Sequence, residues 1–206
     1  MTSHPHGQPS RHTGCGRSAI SGIPALALSC FVSVTPAMAQ STATTDEMIA
    51  EALTAAPANI RDTATISDLS GNILRDGTSD YTCFPAPDGV AGPMCMDAEW
   101  RRWMAAWMGG TPFTAERVAV AYMLAGDAAE GGASNSDPAA SQPTADNEWV
   151  VEGPHMMVIA PDPAAFAGLP TTIQTDGPYV MWSGTPYAHL MVPVAARPAQ
   201  RVVPTQ

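Results

Sequence analysis

The chain has no lysine. Its nine cations are all arginines, nineteen carboxylates face them, and the net charge is −10 over 206 residues. A surface this negative repels phosphate backbones and anionic headgroups, so no nucleic-acid or membrane-surface partner is expected. Aromatic side chains are few: five tryptophans, four tyrosines and four phenylalanines. Cysteine is scarce as well, with four in the chain. Past residue 40 no stretch approaches the roughly 20 apolar residues of a spanning helix, so no integral membrane segment is expected there. G-x-S-x-G, H-E-x-x-H, the P-loop and the dinucleotide fingerprint are all missing. No motif therefore fixes a reaction, and no serine nucleophile can be named.

What is present begins with an export signature. Arg11 and Arg17 are the only charged side chains before Asp46. Residues 19–34 (AISGIPALALSCFVSV) are apolar and small, and Ala37 and Ala39 supply an A-x-A site ahead of Gln40. Together these predict a cleavable signal peptide over residues 1–39. Cys30 follows Ala27-Leu28-Ser29, a poor lipobox, so a lipid anchor is not expected. The working molecule is then residues 40–206, one acidic domain in the periplasm or secreted beyond it.

Cys15 and Cys30 leave with the signal peptide. Cys83 and Cys95 remain, and in an oxidising compartment such a pair predicts a disulfide. The segment between them holds three prolines and two glycines, so little regular structure would order it otherwise. Its eleven residues do not resemble the C-x-x-C of a redox or metal pair.

Helices are expected over residues 46–56 and from Asp97, as cap, to Gly109-Gly110. A short third one opens at Pro161-Asp162-Pro163 and closes at Gly168. Strands are expected over residues 63–67, 72–75, 81–84, 117–124, 149–152, 155–159, 179–182 and 187–194. Strands outnumber helices and most connections are short. The pattern predicts an α+β domain, with a mainly antiparallel sheet and a few short helices packed on one face.

Three features are candidate sites. Trp100, Trp103, Met104, Trp107 and Met108 recur at helical spacing, which makes the tryptophans either sheet-facing core or an aromatic ligand groove. Residues 125–147 lack large apolar side chains and read as a long acidic surface loop. Asp127, Glu130, Asn135, Asp137 and Asp146 lie in it, at spacings unlike an EF-hand. The third feature is an echo: His155-Met156-Met157-Val158 and His189-Leu190-Met191-Val192 both read His-x-Met-Val. Residues two apart on a strand share a face, so His155 stands with Met157 and His189 with Met191. If these strands are neighbours, two imidazoles and two thioethers meet. That donor set suits copper, and Glu152 would shift it toward zinc or iron. Structural histidines are the competing reading. So is acid–base chemistry by either histidine with Glu152 or Asp176.

Residues 132–138 (GASNSDP), 153–157 (GPHMM), 177–182 (GPYVMW) and 184–191 (GTPYAHLM) resemble segments of exported bacterial proteins of no assigned activity. The likeness implies an exported family and carries no chemistry with it. His189-Leu190-Met191 also fits one element of the periplasmic copper chaperones, but their upstream histidine and methionine spacings are missing.

Two functions follow as expectations. One is a non-catalytic extracytoplasmic binding protein, its small ligand beside Trp100, Trp103 and Trp107 or the long loop. The other is a copper or zinc protein, or a metal-dependent enzyme, built on His155, Met157, His189, Met191 and Glu152. Imidazoles within about 5 Å of one another, with open space between, would favour the second.

Overall fold

The computed structural model describes residues 43–87, 91–174 and 177–198. The expected signal peptide and Asp176 lie outside these residues. The first helix, α1 (Thr45–Thr54), starts on a capping box. Thr44 Oγ1 accepts the Glu47 N–H, and the Glu47 carboxylate accepts the Thr44 N–H at 2.7 Å. Pro57 then begins a single further turn, α2 (Ala58–Arg61). Strands β1 (Thr65–Ser67), β2 (Ile73–Arg75), β3 (Thr82–Phe84) and β4 (Met94–Met96) follow. Helix α3 (Ala98–Met108) is capped by Asp97, whose side chain accepts the Trp100 N–H. Then come β5 (Ala119–Met123), β6 (Ala133–Ser134), β7 (Trp149–Val150), β8 (His155–Ile159), β9 (Tyr179–Met181) and β10 (His189–Pro193). A 3-10 turn at Pro163–Phe166 is capped by Asp162.

Eight strands form one sheet in the order β2-β1-β3-β4-β5-β8-β10-β9. Every pair is antiparallel except β1 with β3. The α+β class, mainly antiparallel with few short helices, is as the sequence predicts. Strands β6 and β7 pair separately, so the expected strand from Trp149 does not join the main sheet. Among the described residues no helix is long and apolar enough to cross a membrane.

Register divides the side chains between two faces, and the helices divide with them. Ile66, Cys83, Cys95 and Tyr122 lie on one face, where Ala52, Ala55 and Ala56 of the α1 end let the backbone approach closely. Met96, Ala121 and Met157 lie on the other, beneath Trp100 and Trp103 of α3. The two main helices therefore do not share one face. Alternation of period two along β4 and β5 sends successive residues to opposite helices.

Cys83 and Cys95 stand directly across β3 and β4 at disulfide distance, and both are fully buried. Closing a loop of this size stabilises by about 3 kcal/mol on the loop-entropy account. The Cys83→Ala, Cys95→Ala protein should melt lower by roughly 6–12 °C, given about 2–4 °C per kcal/mol at this size. Calorimetry checks the shift. Thiol titration of the native oxidised protein should find no free cysteine, and two free thiols would refute the bond.

The long loop is buried only in part. Residues such as Ala125, Glu130 and Gln142 are exposed, while Ser134 and Asn135 are buried, each at most 2% exposed. Gly132, at φ 106°, makes this possible, because a Cβ there would sit 2.3 Å from the Val150 carbonyl oxygen.

Candidate functional site

His155 and His189 lie on adjacent strands and the same face, but their levels differ. His155 is opposite Pro193 on β10 and Met123 on β5, whereas His189 is opposite Met181 on β9. Four residues separate the two levels, which is about 13 Å at ~3.3 Å per residue. The two histidines thus stand at different levels of the same face, and both residues are only 2% exposed. Between them Met157 and Met191 face each other directly. Among the described residues no three His, Cys, Asp or Glu side chains gather where they could hold a metal.

Each end of this row belongs to a different environment. At the His155 end, Glu152 is 1% exposed and fully engaged. Arg197 grips it with two hydrogen bonds, at 2.8 and 2.6 Å, and Tyr179 donates its hydroxyl at 2.5 Å. The Glu152 N–H donates to Asp127 at 2.7 Å, while its carbonyl accepts the Asp127 N–H. Burial raises the Asp127 carboxyl above its ordinary value, and the nearby His155 opposes this. Burial and the adjoining Glu152 also raise the Tyr179 phenol. His155 Nδ1 lies 2.8 Å from the Gly153 carbonyl oxygen. Glu152 is thus spent on the C-terminal segment rather than turned toward a ligand.

At the other end His189 enters an aromatic cluster. Its ring stands edge-on to Trp100, Trp103 and Trp182, with centroids at 5.6, 5.2 and 5.1 Å. Trp182 stacks on Trp103 within 6° of parallel at 5.6 Å, and Trp107 stacks on the same indole at 6.0 Å. These separations fall in the range of favourable aromatic pairs. Trp100 and Trp103 are buried, as sheet-facing core requires, but Trp107 is only half-buried and Met108 is 77% exposed. The tryptophan stripe is therefore core at its start and a wall at its end.

Trp182 was not a sequence candidate, yet it organises the cluster. It is the sole described non-glycine residue at positive φ, 55°. Such a backbone costs on the order of 1–3 kcal/mol and persists only where surroundings dictate it. Here they do: Trp182 N–H donates to Asn135 O at 2.9 Å and its indole N–H to Ser134 O at 2.6 Å. Trp107 donates likewise to Pro138 O, and Trp149 to Gly131 O. Three of the five indoles thus fasten the long loop. The other two, Trp100 and Trp103, are buried with no acceptor for Nε1.

A cleft of about 80 Å³ opens beside this cluster. Trp103, Phe113, Ile159, Pro161, Pro186 and Ala188 give it apolar walls, and Thr114 and Thr185 add hydroxyls. The acidic loop has a shallower polar hollow around Ser136, Asp137, Gln142 and Asn147. The oxygen-bearing side chains of the loop are engaged separately. Asp127 bonds Glu152, Asn135 donates to Glu148 and to Thr171 O, and Asp137 accepts from Ala139 N.

Burial lowers the His189 imidazole from its ordinary 6.5 to about 4, opposed by its bond to Tyr187 O and aided by His155. A folded value below the unfolded one stabilises above the unfolded pKa. That stability is lost as pH falls from about 6.5 through about 4. At 1.36 kcal/mol per unit the loss is roughly 3 kcal/mol. Urea unfolding at pH 7 and pH 4 should show it for the wild type, and His189→Gln should flatten that part of the slope. An unchanged slope in the variant would assign the loss elsewhere.

No family model matches the chain, and no curated protein or solved structure matches it either.

Proposed function

We propose that this protein is an exported, non-catalytic binding protein that holds a small uncharged ligand in the cleft beside Trp103. One observation carries the reading. Trp103 lines a ready-made cleft whose walls are part apolar and part polar, with the side chains of Thr114 and Thr185 among them. A few polar groups set among apolar walls are what orients a ligand in a small-molecule site. At about 80 Å³ the cleft suits a ligand of a few heavy atoms, such as a short amide, ketone or lactam. Export is supported by the leader-like first 39 residues and by a buried cysteine pair at bonding distance.

The test uses residues 40–206 purified from the periplasm. Tryptophan fluorescence and thermal shift would be read against a panel of small neutral amides, ketones and alcohols. Binding should raise the melting temperature and quench the indoles. Ala188→Leu fills part of the cleft and should weaken every binder about tenfold. A panel without a single binder, or equal affinities in Ala188→Leu, would defeat the proposal. The N-terminus of the periplasmic protein should begin at Gln40.

A further inference from the structure

We infer that His189, Met181, Met191 and Met157 form a site for one soft monovalent cation, Cu(I), beneath α3. Strand register carries this. Met181 lies directly across from His189, Met191 stands two residues further along the same strand, and Met157 lies directly across from Met191. All four belong to the face packed against Trp100 and Trp103, and none is more than 7% exposed. Directly opposed Cβ atoms lie about 4.5–5.5 Å apart, which methionine side chains easily bridge.

The donor chemistry selects the ion. Three thioethers and one imidazole, with no carboxylate among them, are soft donors that favour Cu(I) over zinc or calcium. Glu152 and His155 stand apart from the set, the first held by Arg197 and the second beside Gly153 O. His189 Nδ1 lies 2.9 Å from Tyr187 O, so Nδ1–H donates there and Nε2 keeps its lone pair. Such a bond on the far nitrogen is the common way a ligand imidazole is aimed. The indoles around His189 add faces that attract a cation. The cleft lined by Trp103, Ile159 and Ala188 lies beside the residue preceding His189. The inference stands on the methionine row, independently of what the cleft binds.

The protein of residues 40–206 is titrated anaerobically with Cu(I) against a chromogenic Cu(I) chelator. It should withdraw one equivalent, and Ag(I) should compete. The Met181→Leu, Met191→Leu protein keeps core volume and apolarity. It should retain its near-UV dichroism and lose at least tenfold in Cu(I) affinity, while Met108→Leu stays unchanged. A reading without variants uses methionine methyl NMR of the wild type with Ag(I). The resonances of Met157, Met181 and Met191 should shift and that of Met108 should not. The inference is overturned if the wild type withdraws no Cu(I), if the folded double variant binds like wild type, or if only other methionines shift.

Discussion

Arg197→Ala is expected to destabilise the fold by about 3–5 kcal/mol, the range for removing one partner of a buried ion pair. The Glu152 side chain is 2% exposed and that of Arg197 11%, so water does not replace the lost guanidinium. Two parallel N–H donors leave at once, and Tyr179 alone remains on the carboxylate. The guanidinium also lies 5.6 Å from the Tyr179 ring centroid, a contact that goes with it. Arg197→Lys should recover only part of the loss, because an ammonium cannot reproduce the bidentate fork. Adding Glu152→Gln to Arg197→Ala removes the unpaired charge and should recover part as well. Urea unfolding of the wild type, the single variants Arg197→Ala, Arg197→Lys and Glu152→Gln, and the double variant measures this. Additive effects of Arg197→Ala and Glu152→Gln would mean the pair is uncoupled and the account is wrong.

Trp182→Ala should cost about 3–5 kcal/mol, as large-to-small changes of buried aromatics do. It removes the stack on Trp103 and the donor to Ser134, and still asks alanine to hold φ 55°. The consequence extends to the long loop, which loses an anchor. Hydrogen exchange at Asn135 and its neighbours should accelerate far more than exchange within β5 and β8. Trp182→Phe keeps a ring and loses the indole donor, so a milder loss near 1 kcal/mol is expected. Equal protection of the loop in wild type and Trp182→Ala would show that the indole does not fasten it.

Much of this architecture is legible in the sequence where the signal is local. The strand His155–Ile159 is predicted to the residue, and the caps at Asp97 and Asp162 are where turn chemistry puts them. Strand β4 carries no local signal, because Met94–Met96 is three residues long and sits between Pro93 and a helix cap. The candidate site is less legible. Period-two alternation places His155, Met157, His189 and Met191 on one face, but not at one level. Level depends on how β8 and β10 align across more than twenty intervening residues, which no local pattern encodes. Met181 joins the row from a third strand, and Arg197 reaches Glu152 from 45 positions away. The docking of the long loop was likewise hidden. Its polar composition is real, but backbone carbonyls rather than side chains accept the indoles, and any sequence has carbonyls.

The order of strands in the sheet bears on how the chain matures. β3, β4 and β5 pair with their neighbours in sequence, so three of the eight strands can assemble as soon as they leave the ribosome. The aromatic cluster cannot. Trp100 and Trp103 wait for Trp182 and His189, some eighty residues later, and Glu152 waits 45 residues for Arg197. Until the last segment arrives, the nascent polypeptide displays bare indoles and an unneutralised carboxylate. During that interval it is a natural client for holdase chaperones and a ready substrate for proteases.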